Sequence, residues 1–519
     1  MFLQYLAAAF ITTSVWSIKA EFVDCLEDVL SKSNCDVNNL LQERVLHVHG
    51  SPHDPIALAD SKHGDFQDFT GSEPKPGPFP VPAPAAAHAS APFGVPPLYA
   101  LGLLTLINTL VFAVLVLLGK TCCMKDENPR DTSLDHAKWM LVGLVCYSHI
   151  VFFCHGQIQP VWDNWQEIDS HGLWNHPVMQ IFVFIYMFMM PTFCFLSGRF
   201  SQNYVKLREE GSKHEIEVSV TYQRLHGTLI HLLLACVLFQ VLQGVAVPAV
   251  EYAFVGFPNI SWQGLRHHLR DIYHVHPLFE GFGLAWYLIA LVLWRLVLPF
   301  WSCLRFPLIC SFGMALFPFA FPTKPFFLEK VFGYFPFFVW GYKVSAQGWD
   351  AFRHDRRSQL VGIIALSLLV FLVQYKAVME AFHAFTVHQI GFNTPTGFWG
   401  WKTPLVYYPV SFLGTGLFLS AAQPVLGGSW GSILDKMSSR SMYVYLAHLM
   451  VCNHFVLHVW DWRMYMLSLP PWGQALWIAN VSFTIMMFIS SWPIYYILSS
   501  FCEPPLAWIS QRAAPSSPA

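Results

Sequence analysis

Apolar stretches of membrane-spanning length recur from Leu98 almost to the carboxyl end of the chain. A helix that crosses a bilayer needs about 20 predominantly apolar residues. About eleven stretches approach this length, which predicts an all-α integral membrane protein with about eleven transmembrane helices. The predicted spans cover residues 98–119, 136–155, 178–198, 226–249, 284–301, 306–322, 331–346, 358–376, 404–422, 441–459 and 474–500.

The composition excludes a soluble globular enzyme. Only 12% of the residues are charged, whereas a soluble domain carries roughly 25%. The formal net charge of −2 provides no basic surface for tracking phosphates, so nucleic acid is not an expected partner. Membrane lipids are the expected surroundings, and the sequence does not distinguish an endomembrane from the plasma membrane.

The segment before the first predicted span has two parts. An apolar run from Leu6 to Trp16, followed by small and polar residues, predicts a signal peptide over residues 1–20. Residues 21–97 are polar and then rich in Pro and Ala, which predicts a disordered ectodomain. The expected organisation continues with an extra transmembrane helix at 98–119 and ends in a cytoplasmic tail at 503–519.

Basic residues in the loops predict the orientation. Cytoplasmic loops collect Lys and Arg, and the segments 120–130 and 199–224 are rich in both, while 157–177 contains neither. Alternation from a lumenal start therefore places the first two segments in the cytoplasm. The same alternation places the sequon at Asn259 outside, where it can be glycosylated. The sequon at Asn480 falls within an apolar span, so we expect it to be unused.

The second span contains the polar residues that point most directly to chemistry. Lys138 and His149 are eleven residues apart, which places them on the same helix face about 16 Å apart along the axis. Asp135 lies one turn before Lys138, whereas His136 points elsewhere. A charged or imidazole group within a span is costly and is by default a functional hypothesis. The alternative is that Asp135 and Lys138 are interfacial anchors and that His149 is a packing hydrogen bonder.

The run LDHAKWMLVGLVCYSHI, residues 134–150, resembles the opening helix of the acyltransferase 3 family of membrane O-acyltransferases. In that family an Asp, a cation and a His share this spacing. Many members carry Arg where this chain has Lys138, and Lys keeps the charge but lacks the bidentate fork of Arg. Further resemblances follow in family order: MPTFCFLSGRF (190–200), AWYLIALVLWRLVLP (285–299), FPFFVWGYKV (335–344) and SRSMYVYLAHLM (439–450).

The resemblance covers residues 131–502 and implies a bundle of ten helices within this domain. It also implies an acyltransferase of the EC 2.3.1 class, which transfers an acyl group, commonly acetyl, from cytoplasmic acyl-CoA to a hydroxyl on the lumenal or extracellular side. The acceptor is often a carbohydrate. Acyl-CoA is a co-substrate, and no other cofactor is expected. His149 would be the catalytic base that removes the hydroxyl proton, or a nucleophile that carries the acyl group.

The donor and acceptor contacts follow from the chemistry of the two substrates. CoA is polyanionic and requires cations at the cytoplasmic mouth. The donor-binding candidates are Lys138, Asp135, Arg199, Ser197 and Gly198. Arg199 could instead be a topological anchor, and Ser197 and Gly198 could be small residues for helix packing.

Aromatic rings suit the faces of a sugar, although interfacial belts and helix packing explain such residues as well. The candidate pore or acceptor contacts are Trp286, His448, Tyr445 and Trp165. The histidines of the loop at 262–276 match no standard zinc spacing, so no metal is expected.

Two other functions fit the hydropathy. One is a transporter or proton-coupled carrier in which Lys138, His149 and His448 form a substrate or proton path. The other is a non-catalytic, receptor-like bundle. Only the acyltransferase requires cleavage of a thioester, so release of CoA thiol that depends on His149 separates it from both alternatives.

Overall fold

The computed structural model describes eleven segments of the chain and a few isolated positions. The predicted signal peptide, nearly all of the predicted ectodomain, the loop that contains Trp165, the sequon at Asn259 and the tail at 503–519 lie outside them. The segments are 96–121, 132–154, 176–202, 205–210, 215–220, 225–237, 286–320, 328–373, 402–426, 430–454 and 468–491.

Most of the described residues are helical, as the apolar stretches predict. The helices of the first half are α1 (Pro97–Thr121), α2 (Thr132–Cys154), α3 (Pro177–Tyr186), α4 (Met189–Ser201) and α5 (Leu225–Val237). Those of the second half are α6 (Trp286–Ser302), α7 (Pro307–Ala320), α8 (Leu328–Lys343), α9 (Ala346–His354), α10 (Arg356–Leu372), α11 (Lys402–Leu426), α12 (Ser432–Ser439), α13 (Ser441–His454) and α14 (Pro471–Ser490).

Each predicted span contains at least part of one of these helices. Within the described segments, 4 helical stretches are both long and apolar enough to cross a bilayer. A membrane-integral helical protein is therefore confirmed, while the number of eleven spans stays a prediction. The four stretches are Pro97–Leu118, Pro177–Ser201, Pro404–Leu426 and Pro471–Ser490.

A short β-hairpin adds to the expected all-α fold. Strand β1 (Val205–Glu210) pairs antiparallel with β2 (Glu215–Val220), with Val205 opposite Val220. The sequence analysis treated this region only as a basic cytoplasmic loop. The strand sequence EIEVSV alternates polar and apolar residues throughout, and VKLREE does so over its first four residues; this period of two is typical of a strand. The hairpin follows α4 directly, and Val205 is buried against the bundle.

The helix directions agree with the predicted alternation across the membrane. Helix α2 runs antiparallel to α14, because Trp139 donates to Ser490 Oγ (2.9 Å) whereas Gly143, further along α2, lies beside Met486, earlier in α14. Helices α4 and α8, which the predicted alternation directs to the same side of the membrane, run side by side and are the most extensively packed pair of the described helices. Parallel packing is expected of elements that cross in the same direction.

The contact between α4 and α8 depends on two glycines. A Cβ on Gly198 would lie 1.9 Å from the carbonyl oxygen of Phe338, and a Cβ on Gly341 would lie 1.9 Å from that of Phe195. Both obstacles are backbone atoms, which a change of side-chain rotamer cannot move. Only residues without a Cβ allow the two helix backbones to approach this closely, as small residues do in other membrane bundles.

Helix α1 is joined to α14 by side-chain amides and hydroxyls. Asn108 Nδ2 donates to Asn480 Oδ1 (3.1 Å), Asn480 Nδ2 donates to Thr105 Oγ1 (3.1 Å), and Thr484 Oγ1 donates to Asn108 Oδ1 (3.0 Å). Interhelical hydrogen bonds of this kind stabilise membrane bundles by about 0.6–2 kcal/mol each. The extra first helix is therefore a packed part of the bundle, and the side chain of Asn480 is engaged in helix packing.

The turn between α9 and α10 is fixed by a helix cap outside the spans. Asp355 accepts hydrogen bonds from the backbone N–H groups of Arg357 and Ser358, each at 3.1 Å. The Ser358 hydroxyl and these N–H groups stabilise the carboxylate, so the pKa of Asp355 lies below its ordinary value. The cap is consequently formed at neutral pH, and α10 begins at a defined residue.

Candidate active site

Asp135, Lys138 and His149 lie along one side of helix α2, as the sequence predicts. The helix is continuous from Thr132 to Cys154, so Lys138 and His149 lie on one face, about 16 Å apart along the axis. Lys138 Nζ lies 2.7 Å from Asp135 Oδ1 and 4.4 Å from the centre of the Phe200 ring. Its side chain is 24% exposed. A cation is thus held in place at one end of α2 and stays accessible to an anion.

His149 meets a second histidine from another helix. The centres of the His149 and His448 rings are 5.1 Å apart, with the ring planes at 49°. His448 lies on α13 and is completely buried, while His149 is half-buried. His448 Nδ1 bonds the backbone carbonyl of Tyr445, one turn earlier in α13. The structure therefore joins the predicted catalytic His149 to two of the predicted pore residues.

An aromatic row continues from His448 to Ser197. The Tyr445 ring lies 5.6 Å from His448 and 5.7 Å from Tyr287 on α6. The Tyr287 hydroxyl lies 2.6 Å from Ser197 Oγ and donates to the carbonyl of Phe193 at 3.1 Å. Ser197, a predicted donor contact, is thereby connected through two tyrosine rings to the histidine pair.

Trp286 and Lys330 lie on another side of the histidine pair. Lys330 Nζ is 5.0 Å from the centre of the Trp286 ring, and that ring is 5.6 Å from Tyr334. Lys330 is also close enough to His149 to interact with it electrostatically. The sequence analysis predicted Trp286 but did not select Lys330, because the predicted span began at residue 331. The structure starts α8 at Leu328, which brings Lys330 into the first turn of the helix.

Two of the predicted donor contacts have structural roles. Gly198 lies against the backbone of α8, so helix packing accounts for the glycine, and its role in donor binding stays a prediction. Arg199 Nη1 bonds the side chain of Gln202 and donates to the carbonyl of Val344 at 3.1 Å. Arg199 therefore satisfies a carbonyl just beyond the end of α8, where a cation is favoured, and its part in donor binding stays a prediction.

Arg295 is a buried cation within the predicted span at 284–301, and it was not among the predicted site residues. It lies within α6 and is 8% exposed, and it interacts electrostatically with Tyr287. The sequence contained the signal, since a charge inside a predicted apolar span is by default a functional hypothesis. Its position next to the aromatic row makes it a further candidate for contact with an anionic substrate.

No group of three or more His, Cys, Asp or Glu side chains in the described segments is arranged to hold a metal ion. The histidine-rich loop at 262–276 lies outside those segments. The expectation that no metal takes part in the reaction therefore stays a prediction.

His136 fixes the start of α2 from the opposite face. Its Nε2 lies 2.7 Å from Asp435 Oδ1 on α12, and its Nδ1 lies 3.1 Å from the carbonyl of Leu426. The ring stacks on Trp430 at 4.1 Å, with the planes 4° apart. Both nitrogens of a fully buried ring thus face hydrogen-bond acceptors, and this clamp holds the first turns of α2, which carry Asp135 and Lys138.

Replacing Asp435 by alanine is expected to destabilise the protein by about 1–3 kcal/mol, because the buried His136 ring would lose one partner. The measurement is the midpoint of thermal unfolding in detergent, which should fall by several degrees. Asp350, exposed on α9, is the matched control. Equal midpoints for Asp435→Ala and Asp350→Ala would show that the clamp does not stabilise the fold.

Comparison with known protein families matches residues 131–496 to the acyltransferase 3 family, described as an acyltransferase domain. The match covers more than two thirds of the chain and runs from α2 through α14. The chain belongs to the acyltransferase 3 family. Comparisons with curated proteins and with solved structures gave no match.

Membership of the acyltransferase 3 family confirms the resemblance based on the five sequence segments. It makes this chain a membrane acyltransferase, which requires an acyl donor and an acceptor. Helix α1 lies outside the matched residues, although its hydrogen bonds to α14 attach it to the acyltransferase 3 domain.

Proposed function

We propose that this membrane acyltransferase transfers an acyl group, most simply acetyl, from cytoplasmic acyl-CoA to a hydroxyl group on the lumenal or extracellular side. A carbohydrate is the first candidate acceptor. The observation that carries the proposal is the geometry of α2, with the Asp135–Lys138 pair near its start and His149 about 16 Å further on the same face. This arrangement suits a long anionic donor whose reactive end lies deep in the bundle.

The reaction needs a general base at the end of the site that lies deep in the bundle. A hydroxyl is a weak nucleophile, and a neutral imidazole can take its proton as the oxygen attacks the thioester carbonyl. His149 is suited to this role because it is half-buried and lies on the same face of α2 as Lys138. A two-step route, in which His149 first accepts the acyl group and then passes it to the hydroxyl, uses the same residue.

The part of the site that binds CoA requires a positively charged side chain that is accessible from the solvent. Lys138 satisfies this requirement, since its ammonium is held by Asp135 and stays partly exposed. A phosphate of CoA would compete with Asp135 for this ammonium or bind it from the exposed side. Arg199 and Ser197 lie on the neighbouring α4 and are the further donor contacts in this proposal.

The acceptor is assigned to the part of the site that contains Trp286. This ring is half-buried and lies next to Lys330 and Tyr334. A flat aromatic surface beside a cation and a phenol provides both the stacking and the polar contacts that a sugar needs. Tyr445 and His448, at one end of the aromatic row, are the further candidate acceptor contacts in this proposal.

The proposal is tested with the purified full-length protein in detergent. Acetyl-CoA labelled in the acetyl group is supplied with a panel of mono- and oligosaccharides, and both thiol release and label on the sugar are measured. We expect thiol and acetylated sugar to form in equal amounts. The same protein is also reconstituted in vesicles. Movement of a labelled sugar across the vesicle membrane, without thioester cleavage in any condition, would contradict the proposal and indicate a carrier.

A further inference from the structure

The close contact between the His149 and His448 rings fits a shared role in catalysis better than a role in lining a pore. The proposed function uses one histidine as the base, yet a second imidazole from α13 lies with its ring centre only 5.1 Å away. Resting on that function, we propose that His448 is a second catalytic residue, the general acid that protonates the departing CoA sulfur. His149 and His448 would then divide between them the two proton transfers of the reaction.

The hydrogen bond at Nδ1 determines which nitrogen of His448 can react. Nδ1 faces the carbonyl oxygen of Tyr445, which can only accept, so Nδ1 carries a proton. In the neutral ring, Nε2 is therefore the nitrogen with the lone pair. Nε2 is buried and has no hydrogen-bond partner among the described residues. Buried polar atoms without a partner are uncommon and require an explanation, and a proton-transfer role supplies one.

The spacing of the two rings favours a single shared proton. Two imidazolium ions this close, inside a membrane bundle, would repel each other strongly, so protonation of one ring disfavours protonation of the other. A proton taken up by His149 is consequently transferred readily to His448, directly or through one water. Among the described residues, the titratable or charged groups near the pair include Tyr445 on α13 and Lys330 on α8, and Tyr287 on α6 lies next to Tyr445.

The position of each ring matches its proposed role. His149 is close enough to Lys330 for an electrostatic interaction, and Lys330 lies against Trp286 in the region assigned to the acceptor. His448 contacts Tyr445 and, through it, the row that leads to Ser197, which belongs to the proposed donor region. A base is needed where the hydroxyl arrives, and an acid is needed where the thiolate departs. The two histidines are placed in that order.

The reaction balances without any further reactant. The hydroxyl oxygen forms a bond to the thioester carbonyl carbon and gives its proton to His149. The proton passes from His149 to Nε2 of His448. The carbon–sulfur bond then breaks, and the CoA sulfur takes the proton from His448. The products are an ester and a free thiol, and both rings return to the neutral state.

The test compares two thioesters whose thiolate leaving groups differ in how strongly their departure depends on a general acid. Acetyl-CoA releases an alkyl thiolate, which benefits from protonation, whereas S-(4-nitrophenyl) thioacetate releases a stable aryl thiolate that does not. The full-length protein, its variants His448→Gln and His149→Gln, and the control His226→Gln, an exposed residue of α5, are assayed with both. Thiol release, measured with water or an active sugar as acceptor, gives kcat/KM for each combination of protein variant and thioester.

For His448→Gln we expect a loss of about 100-fold with acetyl-CoA and a loss several-fold smaller or none with the aryl thioester. His149→Gln should lose activity with both donors, and His226→Gln with neither. Equal losses of His448→Gln on both donors would overturn the acid role and indicate that the residue only supports the fold. Unchanged activity with acetyl-CoA would overturn it as well. If the unmodified protein cleaves neither thioester, the proposed function itself fails.

Discussion

Acyl transfer by the His149→Ala variant is expected to fall by about 10³-fold in kcat, since general base catalysis contributes roughly 10²–10⁴-fold. The substitution removes an imidazole that contacts the His448 ring and interacts electrostatically with Lys330. The Asp135–Lys138 pair lies about 16 Å away along α2 and is left intact. The KM for acyl-CoA should therefore change much less than kcat. Thiol release over a range of acetyl-CoA concentrations gives both quantities.

The comparison needs a variant that removes a histidine without touching the site. His226→Ala serves this purpose, because His226 is exposed on α5, and its activity should equal that of the unmodified protein. Size-exclusion profiles of the two variants must match before the rates are compared. If His149→Ala and His226→Ala retain the same activity, His149 is not the catalytic group. The proposed base would then have to be sought elsewhere along the aromatic row.

The same variant separates the two chemical routes to the ester. If His149 carries the acyl group, protein quenched during reaction with labelled acetyl-CoA retains label, and His149→Ala does not. If His149 acts only as a base, the unmodified protein also retains no label, although it still transfers acetyl to the acceptor. The measurement is label on denatured protein after removal of the free donor.

The largest expected loss of stability comes from Gly198→Ala. The added Cβ would lie 1.9 Å from the carbonyl oxygen of Phe338 and 2.9 Å from the backbone nitrogen of Tyr342. Helices α4 and α8 would have to move apart along their most extensive contact. Overpacking usually costs about 1–3 kcal/mol, and because the obstacle here is backbone, we expect about 3 kcal/mol or more.

Gly416 on α11 provides the matched control, since in the described part of the chain no atom beyond its neighbours and its own helix backbone lies within 4 Å of the position that its Cβ would occupy. Gly416→Ala should be neutral or slightly stabilising, because alanine is the better helix former by up to about 1 kcal/mol. Stability is measured as the midpoint of thermal unfolding in detergent, together with the yield of monodisperse protein. Equal behaviour of the two variants would contradict the close approach of α4 and α8.

Much of this architecture follows from local sequence. A run of apolar residues predicts a helix, and each predicted span contains at least part of one. The alignment of Lys138 with His149 needs only the helical period, because both residues lie on one continuous helix. The hairpin at 205–220 was missed because its strands are short and charged, although each alternates with period two over at least its first four residues.

Other features were not predicted from local sequence patterns. The residues around Gly198 in the sequence do not show whether it binds a ligand or packs against a helix. Only the position of the α8 backbone shows that it packs against a helix. Arg199 is likewise basic in either role, and the carbonyl of Val344 is a partner from a distant part of the chain. Lys330 was overlooked because the start of the helix was placed three residues too late, at 331 instead of Leu328. Arg295 was overlooked although its charge within an apolar span was visible.

The sequence by itself determined the membrane-integral helical character of this protein, its family and the spacing of the groups along α2, because these depend on composition and on the period of one helix. The tertiary structure decided that His149 meets His448, that Tyr445 and Tyr287 connect this pair to Ser197, and that His136 fixes the start of α2. These contacts join helices that are far apart in the chain. Their partners are selected by how all the helices pack together, and no local periodicity encodes that choice.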